Sequence, residues 1–377
     1  MDNMRCIFHV PMTISDQPKS GSGIRPLKML QAFRDIGYDV SVVMGNGKER
    51  KKAIQNIKKE IRKGEKFDFL YSESSTMPTL LTEKNHIPRY PLLDFQFFLY
   101  CKNNGIKIGL FYRDIYWKFP VYKKTVAAHK RLLSIPLYKY DLEKYKKLLD
   151  ICYVPSLDFS TYLNKELNYH VLPPGGTFDL DFLRERKLRV SGYREERTNE
   201  LNIFYVGGIA GLHDITQFCS VVLSDPRLHL TICCKMEDWK LHHSQYEKFL
   251  CDRIKVIHKS GSELEEYFLD ADIAGLYYKN EIYRDFAMPV KLFEYVCYGV
   301  PVIATKGTVA QEFVTQNDVG WAVNYNEEDL SGLFVHLCDN YGEVVQKMQN
   351  CISCAKDNSW EARAKQVSDD LKQLSIK

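Results

Sequence analysis

Short apolar runs alternate with amphipathic stretches from one end of the chain to the other. Residues 4–10, 39–44, 67–71, 106–112, 151–154 and 169–172 have the length and apolar content of strands buried on both faces. Between them, residues 24–36 carry Leu27, Leu30, Ala32, Phe33 and Ile36 at helical spacing before Gly37 closes the run, and residues 48–66 read as a basic helix. The cycle restarts at 201–206, with further strands predicted at 228–233, 254–257, 273–276 and 302–304 and helices between them, one capped by Ser260 or Ser262. Alternation of this kind predicts an α/β protein made of two doubly wound domains facing each other across a cleft. The strongest punctuation is Pro173-Pro174-Gly175-Gly176, and residues 184–200 are highly charged and poor in core residues, so the junction is expected within 173–200.

Candidate chemistry gathers at the loops of this pattern. Gly21-Ser22-Gly23 stands ahead of the first helix, with Arg25 as a fixed cation on its first turn, and Gly207-Gly208-Ile209-Ala210-Gly211 follows the strand 201–206. Glycines in such places let a ligand approach backbone N–H groups closely. The first is not the dinucleotide G-x-G-x-x-G, because Ile24-Arg25-Pro26 follows it, and a plain flexible turn accounts for it equally. Arg113-Asp114 ends a predicted strand, where open α/β sheets bind ligands. The stretch 285–305 holds a short helix: Pro289 suits its start, Gly299 its left-handed end, and Pro301 forbids continuation. Lys291 and Glu294 share a face near its N-terminus, where N–H groups favour an anion. The pair can seat a phosphorylated ligand with a hydroxylated ring beside it, or be an ordinary solvated ion pair.

Taken together, these features resemble GT-B-fold glycosyltransferases of the family 4-like, group 1 type, which use nucleotide-activated sugars and retain anomeric configuration. The resemblance spans nearly the whole chain. It rests on Gly21-Ser22-Gly23, Pro173-Pro174-Gly175-Gly176, Tyr205-Val206-Gly207-Gly208 and Ser359-Trp360-Glu361, and most on Met288-Pro289-Val290-Lys291-Leu292-Phe293-Glu294-Tyr295 with Gly299-Val300-Pro301-Val302-Ile303-Ala304. It implies the GT-B architecture: a Rossmann-like acceptor-side domain over 1–173, a Rossmann-like nucleotide-sugar domain over 174–355, and a helix over 356–377 that crosses back to the first. It further implies that Glu294 holds ribose hydroxyls, that Lys291 and Lys235 neutralise a diphosphate, and that Gly21, Ser22, Gly23, Gly207 and Gly208 line the donor. Lys291 and Asp114 are the catalytic candidates, Asp114 by orienting the acceptor. No cofactor or metal is expected beyond a UDP- or GDP-linked sugar as co-substrate; the base would meet backbone near 258–261.

The chain departs from the family pattern in three places. Phe286, with Asp285 adjacent, stands where the paired-glutamate motif has its first acid. Gly208 and the neighbourhood of His213 replace the Arg and Lys of the donor-domain loop. Arg113-Asp114 replaces the N-domain histidine. Two rival readings follow: a sugar-nucleotide epimerase on the same scaffold, which would want paired acid and base groups in the cleft, and a non-catalytic glycosyltransferase-like binding subunit.

Composition and charge refine the partners. The 377 residues are 45% hydrophobic and 27% charged with mean hydropathy −0.33, and no apolar run approaches a membrane span or a signal-peptide core. Scattered cysteines within apolar runs, and a lone Cys351-x-x-Cys354, read as small hydrophobes of a reducing compartment, so a cytoplasmic protein is expected. The net charge of +4 hides a split: residues 1–172 hold 29 Lys/Arg against 17 Asp/Glu. Residues 115–149 interleave Tyr116, Trp117, Phe119, Tyr122, Tyr138, Tyr140 and Tyr145 with nine Lys/Arg. That mixture suits an anionic membrane face contacted peripherally, a single-stranded nucleic acid, or a tyrosine-rich packing layer with a solvated basic side. No nucleic-acid module accompanies it, so none is expected as partner, and a glycan or glycolipid acceptor is implied by the resemblance.

Overall fold

The computed structural model of the protein describes residues 4–15, 21–163, 165–192, 199–279 and 288–374. They form two compact units, the first comprising Met1–Pro174 with Trp360–Lys377 and the second Gly175–Ser359. Each unit is an α/β layer structure around one six-stranded, all-parallel sheet.

In the first unit the strands are β1 (Arg5–His9), β2 (Asp39–Val43), β3 (Phe69–Glu73), β4 (Lys107–Phe111), β5 (Ile151–Val154) and β6 (Tyr169–Val171), in the order β2-β1-β3-β4-β5-β6. Its core is unusually aromatic. Phe8, Phe33, Phe69 and Tyr71 are fully buried, with Phe33 between Phe69 and Tyr71 at ring distances of 5.6 and 5.4 Å. The chain returns to this unit through the helix Trp360–Gln373, which packs along the helix Gly21–Asp35 and fixes it with a 2.7 Å hydrogen bond between Tyr38 and Ser368.

In the second unit β7 (Leu201–Val206), β8 (Leu228–Cys233), β9 (Ile254–Ile257), β10 (Ile273–Leu276), β11 (Val302–Thr305) and β12 (Gly320–Val323) run in the order β12-β11-β10-β7-β8-β9. From β7 the chain winds outward to β9, then crosses to β10 on the other side and winds outward again. The carboxyl ends of β7 and β10 therefore flank the point where connections diverge, the place at which such sheets bind ligands.

Several expectations need revision. Gly21-Ser22-Gly23 is not a loop: residues 21–23 are the first turn of the helix Gly21–Asp35, and residues 16–20 lie outside the described set. The charged run from 184 onward is helical as far as 192, within Leu180–Gly192. It lies in the second unit, where Arg186 is fully buried and donates to the carbonyls of Leu269 (2.5 Å) and Ala271. Strand β12 is not among the strands that the apolar pattern predicts. The short helix spans Val290–Cys297 and ends as expected, with Gly299 at φ +70°. Cys6, Cys101, Cys152, Cys233 and Cys234 are buried and unpaired, as small apolar fillers.

Candidate functional site

At the carboxyl end of β7, Tyr205, Gly207 and Gly208 meet the first turn of the helix Val290–Cys297. Lys291 leaves that turn and lays its ammonium 5.0 Å from the centre of the Tyr205 ring. Its Nζ is buried and has no hydrogen-bond partner. Gly207 makes the approach possible. Its φ is +154°, and a Cβ there would fall 1.5 Å from Nζ and 2.6 Å from Cε of Lys291, so any side chain would expel the ammonium. A buried cation with three donors and no acceptor is costly unless a ligand supplies the acceptors.

Three tyrosines fix this arrangement. Tyr205 donates to the Gly208 carbonyl and accepts from Tyr278 at 3.3 Å, while the Tyr295 hydroxyl accepts the Val206 N–H at 3.0 Å. Burial is the largest cause raising both Tyr205 and Tyr295 well above the ordinary phenol value, so both remain neutral beside the ammonium. His213 stands edge-on to Tyr278 at 5.6 Å and lines Gly208. Sequence reasoning missed these rings. Tyr205 and Tyr278 are 73 positions apart and Val206 and Tyr295 are 89, so only the sheet order brings them together.

The other predicted residues are more dispersed. Glu294 lies one turn beyond Lys291 on the same helix, half-buried. The Gly207 N–H is already donated to the Cys233 carbonyl at 2.8 Å and does not point to a ligand. Lys235 is exposed, at the position before the helix Met236–His242. Near the expected base region, His258 is held by a 2.8 Å bond between Nδ1 and the Cys234 carbonyl, with the Trp239 ring 6.5 Å away. Asp285 and Phe286 lie outside the described residues, as does the Ser22 side chain.

Asp-x-Asp spacing occurs twice, at Asp179/Asp181 and Asp270/Asp272, and both pairs have structural partners. Asp179 caps the helix Leu180–Gly192 by accepting the N–H groups of Asp181 and Phe182, and Asp272 accepts from the Asn202 N–H and the Tyr341 hydroxyl. Asp181 pairs with Arg184, and Asp270 with Arg189.

In the first unit, Asp114 follows β4 and accepts the Tyr116 N–H at 2.8 Å, closing a turn. Arg25 is not aimed at a ligand. Its Nε donates to Glu73 at 3.0 Å, and Glu73, wholly buried, also accepts from Arg113 and Tyr71 at 2.8 Å each. A second buried network joins His9 to Ser72 through Nδ1 (2.8 Å) and to Asp94 through Nε2 (3.0 Å), with Arg50 on both Asp94 oxygens. Burial lowers His9, against the hydrogen bond to Asp94. Burial alone would raise Asp94, but the hydrogen bonds and charges of His9 and Arg50 outweigh it and hold the carboxyl below its ordinary value.

Residues 194–357 match the model of a family described as Glycosyl transferases group 1. No curated protein matches the chain. Among solved structures, the chain is similar to a sucrose-phosphate synthase from Thermosynechococcus elongatus (14% identity, TM-score 0.63, covering 98% of this chain and 99% of that one). It is also similar to HepE from Anabaena, solved with UDP (12%, TM-score 0.65, 98% and 100%), and to WaaG, a glycosyltransferase of lipopolysaccharide biosynthesis (13%, TM-score 0.61, 97% and 99%). At these identities the likeness establishes the fold, and it does so over the full chain.

Proposed function

We propose, for a chain whose residues 194–357 match the model of the group 1 glycosyl transferases, that the second unit binds a nucleoside-diphosphate sugar and that the enzyme transfers this sugar to a glycan acceptor, lipid-linked or polysaccharide. The observation that carries the reading is the buried Lys291 ammonium, held over Tyr205 beside Gly207 with no hydrogen-bond partner. A diphosphate supplies the acceptors that the ammonium lacks, and the N-terminus of the helix Val290–Cys297 adds to the same positive field. The bound UDP in HepE and the lipopolysaccharide role of WaaG support the donor and acceptor classes.

In the proposed reaction the bond between the anomeric carbon and the β-phosphate oxygen breaks, and the electron pair goes to the phosphate. Lys291 stabilises that developing charge, in a dry site where one ammonium is worth far more than in water. The acceptor oxygen bonds the anomeric carbon from the face the phosphate leaves, and its proton passes to the phosphate, so configuration is retained without a protein nucleophile or a metal. Glu294 accepts both ribose hydroxyls. Asp114 orients the acceptor.

A thermal-shift panel of UDP, GDP, ADP and their sugars tests the donor class. One of them, at a hundred times its dissociation constant, should stabilise the protein by about 2.7 kcal/mol, and Glu294→Ala should weaken that nucleotide while melting like wild type without ligand. No response to any nucleotide would sink the reading. Epimerisation at C2 of the sugar nucleotide without acceptor would replace it with the epimerase, and binding without turnover on any acceptor with a non-catalytic role. Asp114→Asn keeps the turn and should lower transfer without changing nucleotide binding.

A further inference from the structure

The aromatic residues of 115–149 do not form an interfacial belt. Trp117, Tyr122, Tyr138 and Tyr145 are buried, Trp117 stacks on Tyr138 at 4.9 Å, and Tyr122 bonds Ser134 at 2.5 Å. They are a packing layer beneath the helix Ala128–Leu148 and the short helix Pro120–Thr125. What this layer lifts into solvent is different. Leu132 is 79% exposed and Leu133 57%, side by side in the first turns of the longer helix. Around them, residues 115–140 contain Lys118, Lys123, Lys124, Lys130, Arg131 and Lys139 and not a single Asp or Glu. Arg131 donates to the Lys123 carbonyl at 2.8 Å, which ties the two helices together and brings Lys123 and Lys124 beside the leucine-bearing turns.

We propose that this knob is a membrane-docking surface: Leu132 and Leu133 enter the headgroup and acyl boundary of an anionic bilayer while the surrounding lysines engage its phosphates. Leu132 and Leu133 are an adjacent, exposed apolar pair with Lys123, Lys124 and Lys130 exposed on the same two helices, and an apolar tip flanked by cations matches an anionic lipid surface in both hydrophobicity and charge. No described helix is long and apolar enough to cross a membrane, so the attachment is peripheral. The reading does not depend on the donor site.

Co-sedimentation of the full chain with vesicles of phosphatidylcholine and phosphatidylglycerol tests it, with phosphatidylcholine vesicles alone as control. Binding should require phosphatidylglycerol and weaken with salt. Leu132→Ser/Leu133→Ser should reduce the vesicle partition constant at least roughly tenfold, and Lys123→Gln/Lys124→Gln/Lys130→Gln by roughly fivefold per cation. Both variants should melt like wild type. No binding to the anionic vesicles overturns the proposal, as does binding that the leucine variant leaves unchanged. A wild-type dimer that the leucine variant dissociates overturns it in favour of a second copy of the chain. Nucleotide binding plays no part in this assay, so its outcome is separable from that of the donor panel.

Discussion

Both units are built on a six-stranded, all-parallel sheet, in different strand orders, and the buried carboxylates Glu73 and Asp94 of the first are paired where Lys291 of the second is not. In the first, Glu73 lies between Arg25 and Arg113, and Asp94 lies between His9 and Arg50, so each carboxylate meets two cationic or donor partners. One nitrogen there, Arg25 Nη1, has no hydrogen bond, but the guanidinium carbon is 3.5 Å from the Phe111 ring centroid and the ring face takes its place. In the second unit Lys291 has a ring below it as well, but no acceptor for any of its donors. Closed networks are scaffold; a charge held ready without its counter-charge is a site. On the reading proposed above, the carboxyl ends of the strands therefore carry stability at Glu73 in one unit and ligand affinity at Lys291 in the other.

Breaking the scaffold side should give the larger effect on folding. Glu73→Ala would leave Arg25 and Arg113 buried against each other, a change that costs about 3–5 kcal/mol and should lower the melting temperature on the order of 10 °C. Melting within a degree or two of wild type would show that the cluster is solvated rather than closed. Breaking the site side should do the reverse. Lys291→Met keeps the length of the side chain and removes the unpaired charge, so the ligand-free protein should melt at or above wild type, while transfer falls by roughly a hundred- to a thousandfold. A variant that melts lower and still transfers would invert the contrast between the units.

A subtler change probes the geometry of the site instead of its charge. Gly207→Ala places a methyl group where the Lys291 ammonium now lies. The side chain must swing away, so nucleotide affinity should drop on the order of tenfold, the worth of one charge-assisted hydrogen bond. Isothermal titration with the nucleotide found in the donor panel reads this directly. Wild-type affinity in the alanine variant would mean that Lys291 does not bind from its present position.

Much of this contrast was visible along the chain, and the reason for what was not is physical. Strands such as 201–206 and 228–233 declare themselves by local apolar runs, and the Lys291–Glu294 helix by its flanking Pro289, Gly299 and Pro301. The site's significance comes from partners that are distant in sequence. Lys291 differs from a solvated lysine only because Tyr205 and Gly207 lie beneath it, and no spacing rule links residues on strands paired through a crossover. The same limit left residues 115–149 open between a membrane face, a nucleic-acid surface and a packing layer. Interleaved rings and lysines look alike whether the rings face lipid or core, and only burial showed that the exposed apolar pair is Leu132 and Leu133. Arg25 shows the same ambiguity, because a cation after a glycine turn can read as a ligand contact until Glu73 appears beside it.

Asp141 shows a third way of handling buried charge, and it gives the smallest of the expected effects. It is buried in the first unit with Oδ2 accepting the Thr79 N–H at 2.7 Å, while Oδ1 has no partner. No cation pairs it; Tyr145 is hydrogen-bonded to Thr79 nearby, and the Asp94 carboxylate adds repulsion. Burial pushes its carboxyl up to about 7, against the Thr79 hydrogen bonds. The group resolves its burial by keeping its proton. An unfolded chain releases that proton near the ordinary carboxylate value of about 4, so between there and about 7 the folded state binds more protons. The stability this provides is fully present below the unfolded value and is lost as pH rises through about 7. Asp141→Asn keeps the oxygen that Thr79 needs and cannot ionise, so from pH 6 to 8 the wild type should lose about 1 kcal/mol relative to the variant. Parallel denaturant titrations at the two pH values measure the difference. Equal losses in both proteins would mean that Asp141 is ionised and paired like Asp94, and the first unit would then hold all of its buried carboxylates in one way.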